Sequence, residues 1–195
     1  MRLILSLVLF FALTGSLSAQ ERFRSKTVSH LYLGSYSVST TEHHLQGSRG
    51  GLGVKHYYDP HWAWFLQVSR GTAIETYTPE GGTAYYDLTA SSYGYTGGME
   101  WRTQLDREGN MEPFVGLGLN IENYELVFEY PGSKIGTTNG TGFGPLFNLG
   151  ARFAMGRNFV MIPSYEYSAI TYKTSRGESS TLASNGFSLG LIVRF

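Results

Sequence analysis

From about residue 28 to the C-terminus, apolar side chains recur at every second position, the repeat of strands whose two faces meet different surroundings. The last segment is the clearest. Phe187, Leu189, Leu191, Val193 and Phe195 share one face, and Ser188, Gly190, Ile192 and Arg194 share the other. Near 112–122, Val115, Leu117, Leu119 and Ile121 alternate with Phe114, Gly116, Gly118 and Asn120. Near 143–155, Phe143, Phe147, Leu149, Ala151 and Phe153 alternate with Gly144, Leu146, Asn148, Gly150 and Arg152. The segment near 92–103 sets Tyr93, Tyr95, Met99 and Trp101 against Gly94, Thr96, Gly98, Glu100 and Arg102. The one near 158–170 sets Phe159, Met161, Tyr165 and Tyr167 against Ser164, Glu166 and Ser168. Near 49–58, Leu52, Val54 and Tyr58 oppose Arg49, Gly51, Gly53 and Lys55; near 62–72, Trp62, Trp64, Leu66 and Val68 oppose Phe65, Gln67 and Ser69. In an eighth segment, near 28–38, Leu31 and Leu33 compete with Tyr32, Tyr36 and Val38, and periodicity leaves its apolar face open.

The connections sort into two kinds. Asp59-Pro60-His61, Leu105 to Asn110, and Gly156-Arg157-Asn158 are compact and rich in turn formers. The stretches 39–48, 73–91, 123–142 and 171–185 are longer and hold much Gly, Ser, Thr and Glu. Short and long connections alternate, as tight periplasmic turns and longer extracellular loops do in transmembrane barrels. Strands of about 10 residues tilted near 40° span roughly 25 Å, the height of the apolar band in such barrels. The fold class expected is therefore all-β: an eight-stranded, antiparallel, up-and-down transmembrane β-barrel. Aromatics near strand ends, including Tyr57, Tyr58, Trp62, Trp64 and Trp101 at one end and Tyr93, Tyr124, Phe128, Tyr130, Tyr165 and Tyr167 at the other, predict two interfacial girdles.

The N-terminus adds a compartment. Arg2, an apolar run from Leu3 to Leu13, and the small residues Gly15, Ser16, Ser18 and Ala19 read as a signal peptide over 1–19, leaving the barrel domain at 20–195. The run is too short for a membrane-spanning helix, which needs about 20 apolar residues. With no cysteine in the chain, a lipoprotein anchor and a disulfide scaffold are both excluded. Lys+Arg and Asp+Glu each total 15, so the net charge is zero, which argues against a nucleic-acid partner. Charged residues make up only 15%. A soluble lipocalin-like carrier would alternate in the same way. Its water-exposed face would carry many Lys and Glu, whereas the second face here is mostly Gly, Ser and Asn.

The signal segment, the eight alternating segments and the terminal Leu191-Ile-Val-Arg-Phe195 together resemble the small outer-membrane barrels of the OmpA, OmpX and OmpW type. The resemblance implies export to the outer membrane of a Gram-negative bacterium. It also implies contact with outer-membrane lipid and lipopolysaccharide, and a monomer. Phe187, Leu189, Leu191, Val193 and Phe195 would then be the signal read by the barrel-assembly machinery.

An eight-stranded barrel is just wide enough to be filled by its own side chains. Arg49, Lys55, Glu100, Arg102, Glu122, Arg152, Glu166 and Arg194 fall on the inferred inner face and should pair across the lumen, because a buried unpaired charge costs several kcal/mol. Glu166 is expected near Arg152. The lipid A deacylase family carries a His-x-Ser pair on a late strand, and the similar stretch here is Glu166-Tyr167-Ser168. Glu166 replaces the histidine, and a carboxylate of ordinary pKa, near 4, is a poor base for a serine hydroxyl. Palmitoyl-transfer barrels place His, Asp and Ser at the outer rim, where His43, His44, Asp87, Ser91 and Ser92 are the available residues. His43-His44 and the trio His56, Asp59 and His61 are the local groups a metal could use. Gly116-Leu-Gly118 lacks the Lys-Ser/Thr and helix of a phosphate loop. No catalytic group, metal or cofactor is expected. The role expected is structural or one of surface interaction, through the loops 73–91 and 123–142.

Overall fold

Strands whose faces meet different surroundings are stable only when every backbone group is paired, and a sheet achieves this without exposed edges by closing on itself. The computed structural model describes residues 26–40, 43–78, 86–105, 110–130, 133–155, 159–173 and 179–193. The expected signal peptide, Arg194 and Phe195 lie outside the described residues. The strands are β1 (Lys26–Ser39), β2 (His44–Tyr57), β3 (Trp62–Tyr77), β4 (Tyr86–Arg102), β5 (Met111–Tyr130), β6 (Ser133–Ala154), β7 (Phe159–Lys173) and β8 (Ser179–Val193). Each pairs antiparallel with the next. β1 then pairs with β8, Leu31 opposite Leu191 and Ser37 opposite Asn185, and the barrel closes.

We call the end that carries the start of β1 and the finish of β8 the near end, and the opposite one the far end. The expected far-end loops are mostly strand. Residues 73–77 and 86–91 are paired, Ala73 opposite Ala90 and Tyr77 opposite Tyr86. β5 and β6 run out together until only residues 131–132 join them, with a register shift at Phe128/Glu129. The expected alternation of short and long connections is therefore replaced by long hairpins at the far end.

The physical reason lies in which face is apolar. Around the middle and the near end the outward side chains are apolar and bare: Leu31 and Leu33, Leu52, Leu66 and Val68, Tyr95 and Met99, Leu117, Leu119 and Ile121, Phe143, Phe187 and Leu189. This belt settles β1: Leu31 and Leu33 point out, while Tyr32, Tyr36 and Val38 are buried inside. Toward the far end the two faces exchange character. The outward positions become mainly polar, Ser35, Ser48, Gln46, Thr72, Asn123, Thr141, Asn139 and Thr171, with Ile74 an apolar exception. The inward ones become a packed apolar cluster of Tyr36, Val38, Leu45, Ala73, Leu88, Ala90, Tyr124, Leu126, Ile170, Tyr172 and Leu182. Apart from the register shift at Phe128/Glu129, period two is kept and its sense inverts. A polar-out, apolar-in strand buries its core as a soluble barrel does, so the far end stands as a folded extension above the apolar belt.

Candidate functional site

The inner side chains form three layers along the barrel axis. At the near end Val28, Tyr57, Ala63, Phe114, Val160, Ile162 and Ile192 make one apolar layer. The far-end cluster makes the other. Between them lies a polar layer shut off from bulk solvent: Glu100, Asn120 and Glu122 are 0% exposed and Lys55 is 2% exposed. Burial at this level is tolerable only with partners in place.

The partners follow from strand register. Lys55 on β2 reaches over β3 to an ion pair with Glu100 on β4, its ammonium 4.3 Å from the centre of the Phe114 ring. Glu122 on β5 accepts from the Tyr36 hydroxyl at 2.6 Å and from the Asn120 amide at 3.0 Å, with the Arg49 guanidinium 3.6 Å away. Arg49 donates to the Ser69 hydroxyl at 3.0 Å and lies over the Tyr36 ring. Asn120 also donates to Ser168 at 3.2 Å and accepts from Thr96 at 3.1 Å. Toward the near end, Glu112 accepts from both Arg102, at 2.5 Å, and Arg152, at 2.9 Å, and both guanidinium groups pack on Tyr57. Glycines make room for the long arms. A Cβ at Gly94 would stand 2.5 Å from the Arg49 guanidinium, and one at Gly116 would collide with the Asn148 amide.

Among the expected inner residues, Arg49, Lys55, Glu100, Arg102, Glu122 and Arg152 lie in this interior, paired as described. Glu166 also faces inward, opposite Asn148, but it does not meet Arg152 as expected. The β6–β7 register sets Glu166 four residues along from the level of Arg152, which Glu112 on the other neighbouring strand takes instead. Glu112 lies at the edge of the segment expected near 112–122 and is an inner residue not expected from the sequence. His30 and Tyr36 lie on β1, whose face periodicity leaves open, and Tyr57, expected in an interfacial girdle, is instead buried inside the barrel. Of the residues expected to guide assembly, Phe187, Leu189 and Leu191 are outward and exposed. Val193 ends β8. Arg194 and Phe195 are outside the described residues.

The other candidate groups do not converge. Ser168 is buried beneath the far-end cluster with Asn120 as its partner. His43 pairs with Glu75 at 3.1 Å, His44 meets Ser39 at 2.7 Å, and Asp87 accepts from Thr76 at 2.5 Å. Ser92 points inward to Tyr36, on the opposite face of β4 from Ser91. His56 stacks on Trp64 outside the barrel, Asp59 caps the turn by accepting from the His61 and Trp62 amides, and His61 meets the Arg102 carbonyl. No group of His, Asp and Glu among the described residues is arranged to hold a metal.

The far rim carries a row of rings. Tyr77 stacks on Tyr86 at 5.6 Å, Tyr86 meets Tyr130 at 5.5 Å, and the His43 ring lies 5.4 Å from Tyr77 and 6.4 Å from Phe128. Counting from Arg70 at the upper edge of the belt, seven residues of β3 at about 3.3 Å each, tilted near 40°, raise this row roughly 18 Å beyond the belt. Tyr124 is likewise inside the far-end cluster. Tyr124, Phe128 and Tyr130 therefore do not belong to the second girdle expected from the sequence, whereas Tyr93, opposite Arg70, and Tyr167 face outward and are exposed.

No protein-family model matches the chain, and no curated protein matches it in sequence. Solved structures do match. Neisserial surface protein A is 15% identical with a TM-score of 0.55, over 89% of this chain and 100% of that one. Ail, the attachment invasion locus protein of Yersinia pestis, is 16% identical with a TM-score of 0.54, again over 89% and 100%. The outer membrane protein OprG of Pseudomonas aeruginosa is 11% identical with a TM-score of 0.51, over 88% and 94%. At such identities the likeness concerns the fold, and with the closed ring of strands from β1 to β8 it places this chain among proteins with the fold of small eight-stranded outer-membrane β-barrels.

Proposed function

We propose that the protein is an integral outer-membrane barrel of a Gram-negative bacterium that acts without catalysis, through the folded extension at its far end. The observation that carries this is the pairing of a closed, ion-paired lumen between two apolar layers with a wall that is apolar in one zone and polar in the next. The bare belt is suited to lipid, and the collar of Ser, Thr, Asn and Gln above it to the sugar layer of lipopolysaccharide. Phe187, Leu189 and Leu191 would be read by the barrel-assembly machinery, and the chain would act as a monomer. The row of Tyr77, Tyr86 and Tyr130 beside the His43–Glu75 pair is the recognition surface we favour, since partly exposed rings far above the belt have no interfacial task.

Lipid A modification by Ser168 is disfavoured by its burial and by its amide partner, where a hydrolase needs a base. The experiment pairs conductance in planar bilayers with mass spectrometry of lipid A from cells with and without the protein. No steady conductance and no acyl change are expected. An acyl change abolished by Ser168→Ala, or an open ohmic pore, would overturn the proposal.

A further inference from the structure

Glu166 is the one carboxylate of the polar layer that forms neither a hydrogen bond nor an ion pair among the described residues, although Glu100, Glu112 and Glu122 each have a cation. It stands between two small cavities. One, of about 20 Å³, is lined by Tyr36, Arg49, Leu146, Ser168 and Ser184. The other, of about 10 Å³, is lined by His30, Lys55, Gln67, Asn148 and Ile162. Glu166, Tyr32 and Ser188 border both. Each is near the roughly 10–15 Å³ that admits a single water.

The second cavity collects unmet polar atoms. His30 Nδ1, Gln67 Oε1 and Asn148 Oδ1 are all without a partner, on side chains 6%, 8% and 2% exposed. Buried polar groups require partners, and a buried water typically supplies about three hydrogen bonds. Charge decides between water and a cation. A basic side chain lines each cavity, Arg49 the first and Lys55 the second, so a metal ion in either would stand beside a positive charge, whereas water would not be repelled.

We propose that the lumen contains two internal water sites, one on each side of the Glu166 carboxyl group, which supply its missing hydrogen-bond partners. The water in the second cavity also serves His30, Gln67 and Asn148. Because apolar layers close the barrel above and below, these waters exchange only when the barrel opens transiently, and their residence is long. The inference depends on the closed lumen and not on what the far rim recognises.

The test is nuclear magnetic resonance of the full barrel in detergent micelles with labelled Ile and Leu methyl groups. Leu146 borders the first cavity and Ile162 the second, and both methyls should show cross-peaks to water with the sign of slow exchange. Leu182, inside the far-end cluster, should show none. Glu166→Leu should abolish both cross-peaks and Glu166→Gln should retain them. If either Leu146 or Ile162 lacks a water cross-peak in the unmodified protein, the proposal fails whatever the variants do. It also fails if thermal stability depends on sodium as against potassium at equal ionic strength, since that would identify an ion site.

Discussion

The exchange of faces along each strand can be tested with single arginines on β3. Leu66 and Val68 point outward in the belt, 57% and 48% exposed; the native Arg70 follows, then Thr72, also outward, and Ala73, inward and 0% exposed. Successive outward residues are about 6.7 Å apart along the strand, or about 5 Å in depth at a tilt near 40°. An arginine facing lipid costs about 2–4 kcal/mol at mid-membrane and about 0–1 near the interface. Leu66→Arg should therefore lower the folding equilibrium in lipid vesicles by roughly 30- to 700-fold. Val68→Arg should fall between that and Thr72→Arg, which should be nearly neutral because Arg70 is already accommodated one step below. Ala73→Arg, one residue further, would force a charge into the far-end cluster and should cost several kcal/mol. The assay is urea titration in vesicles, read by heat-modifiable migration. If Leu66→Arg is as stable as the parent, the belt does not face lipid. If Ala73→Arg is as harmless as Thr72→Arg, residues 73–77 are not a packed strand and the inversion is wrong.

Three further outcomes follow from the interior. Lys55→Met should cost about 3–5 kcal/mol by leaving Glu100 buried and unpaired, and adding Glu100→Leu should restore most of it; a double variant as unstable as the single would contradict the pairing. Gly94→Leu should destabilise by at least about 1–3 kcal/mol, since its side chain enters the space of Arg49 and Ser69, whereas Gly136→Ala should be near neutral in the same denaturation assay because nothing lies within 4 Å of its Cβ. Ile170→Ala should cost about 2–5 kcal/mol by opening a cavity in the far-end cluster, and a negligible loss in calorimetry would mean that this cluster contributes no stability.

The strand count, the belt residues of β2 to β8 and the inward direction of Arg49, Lys55, Glu100, Glu122 and Arg152 were legible in the sequence, because a strand's period of two assigns faces locally. The far end was misjudged for a reason that also lies in the sequence. Ala73, Leu88, Ala90, Tyr124, Leu126, Ile170, Tyr172 and Leu182 continue the alternation, but their polar neighbours are Ser, Thr and Asn, the residues that elsewhere mark loops. Periodicity says that two faces differ; it does not say which faces inward. On β1, where both faces carry apolar residues, only closure of the barrel decides, by setting Leu31 against Leu191 in the belt. Pairing in the lumen is likewise a matter of register and reach across strands. Sequence placed Arg152 and Glu166 on adjacent strands facing inward, but the β6–β7 offset and the arm of Glu112 from the other side determined that Arg152 is taken and that Glu166 is left between two cavities.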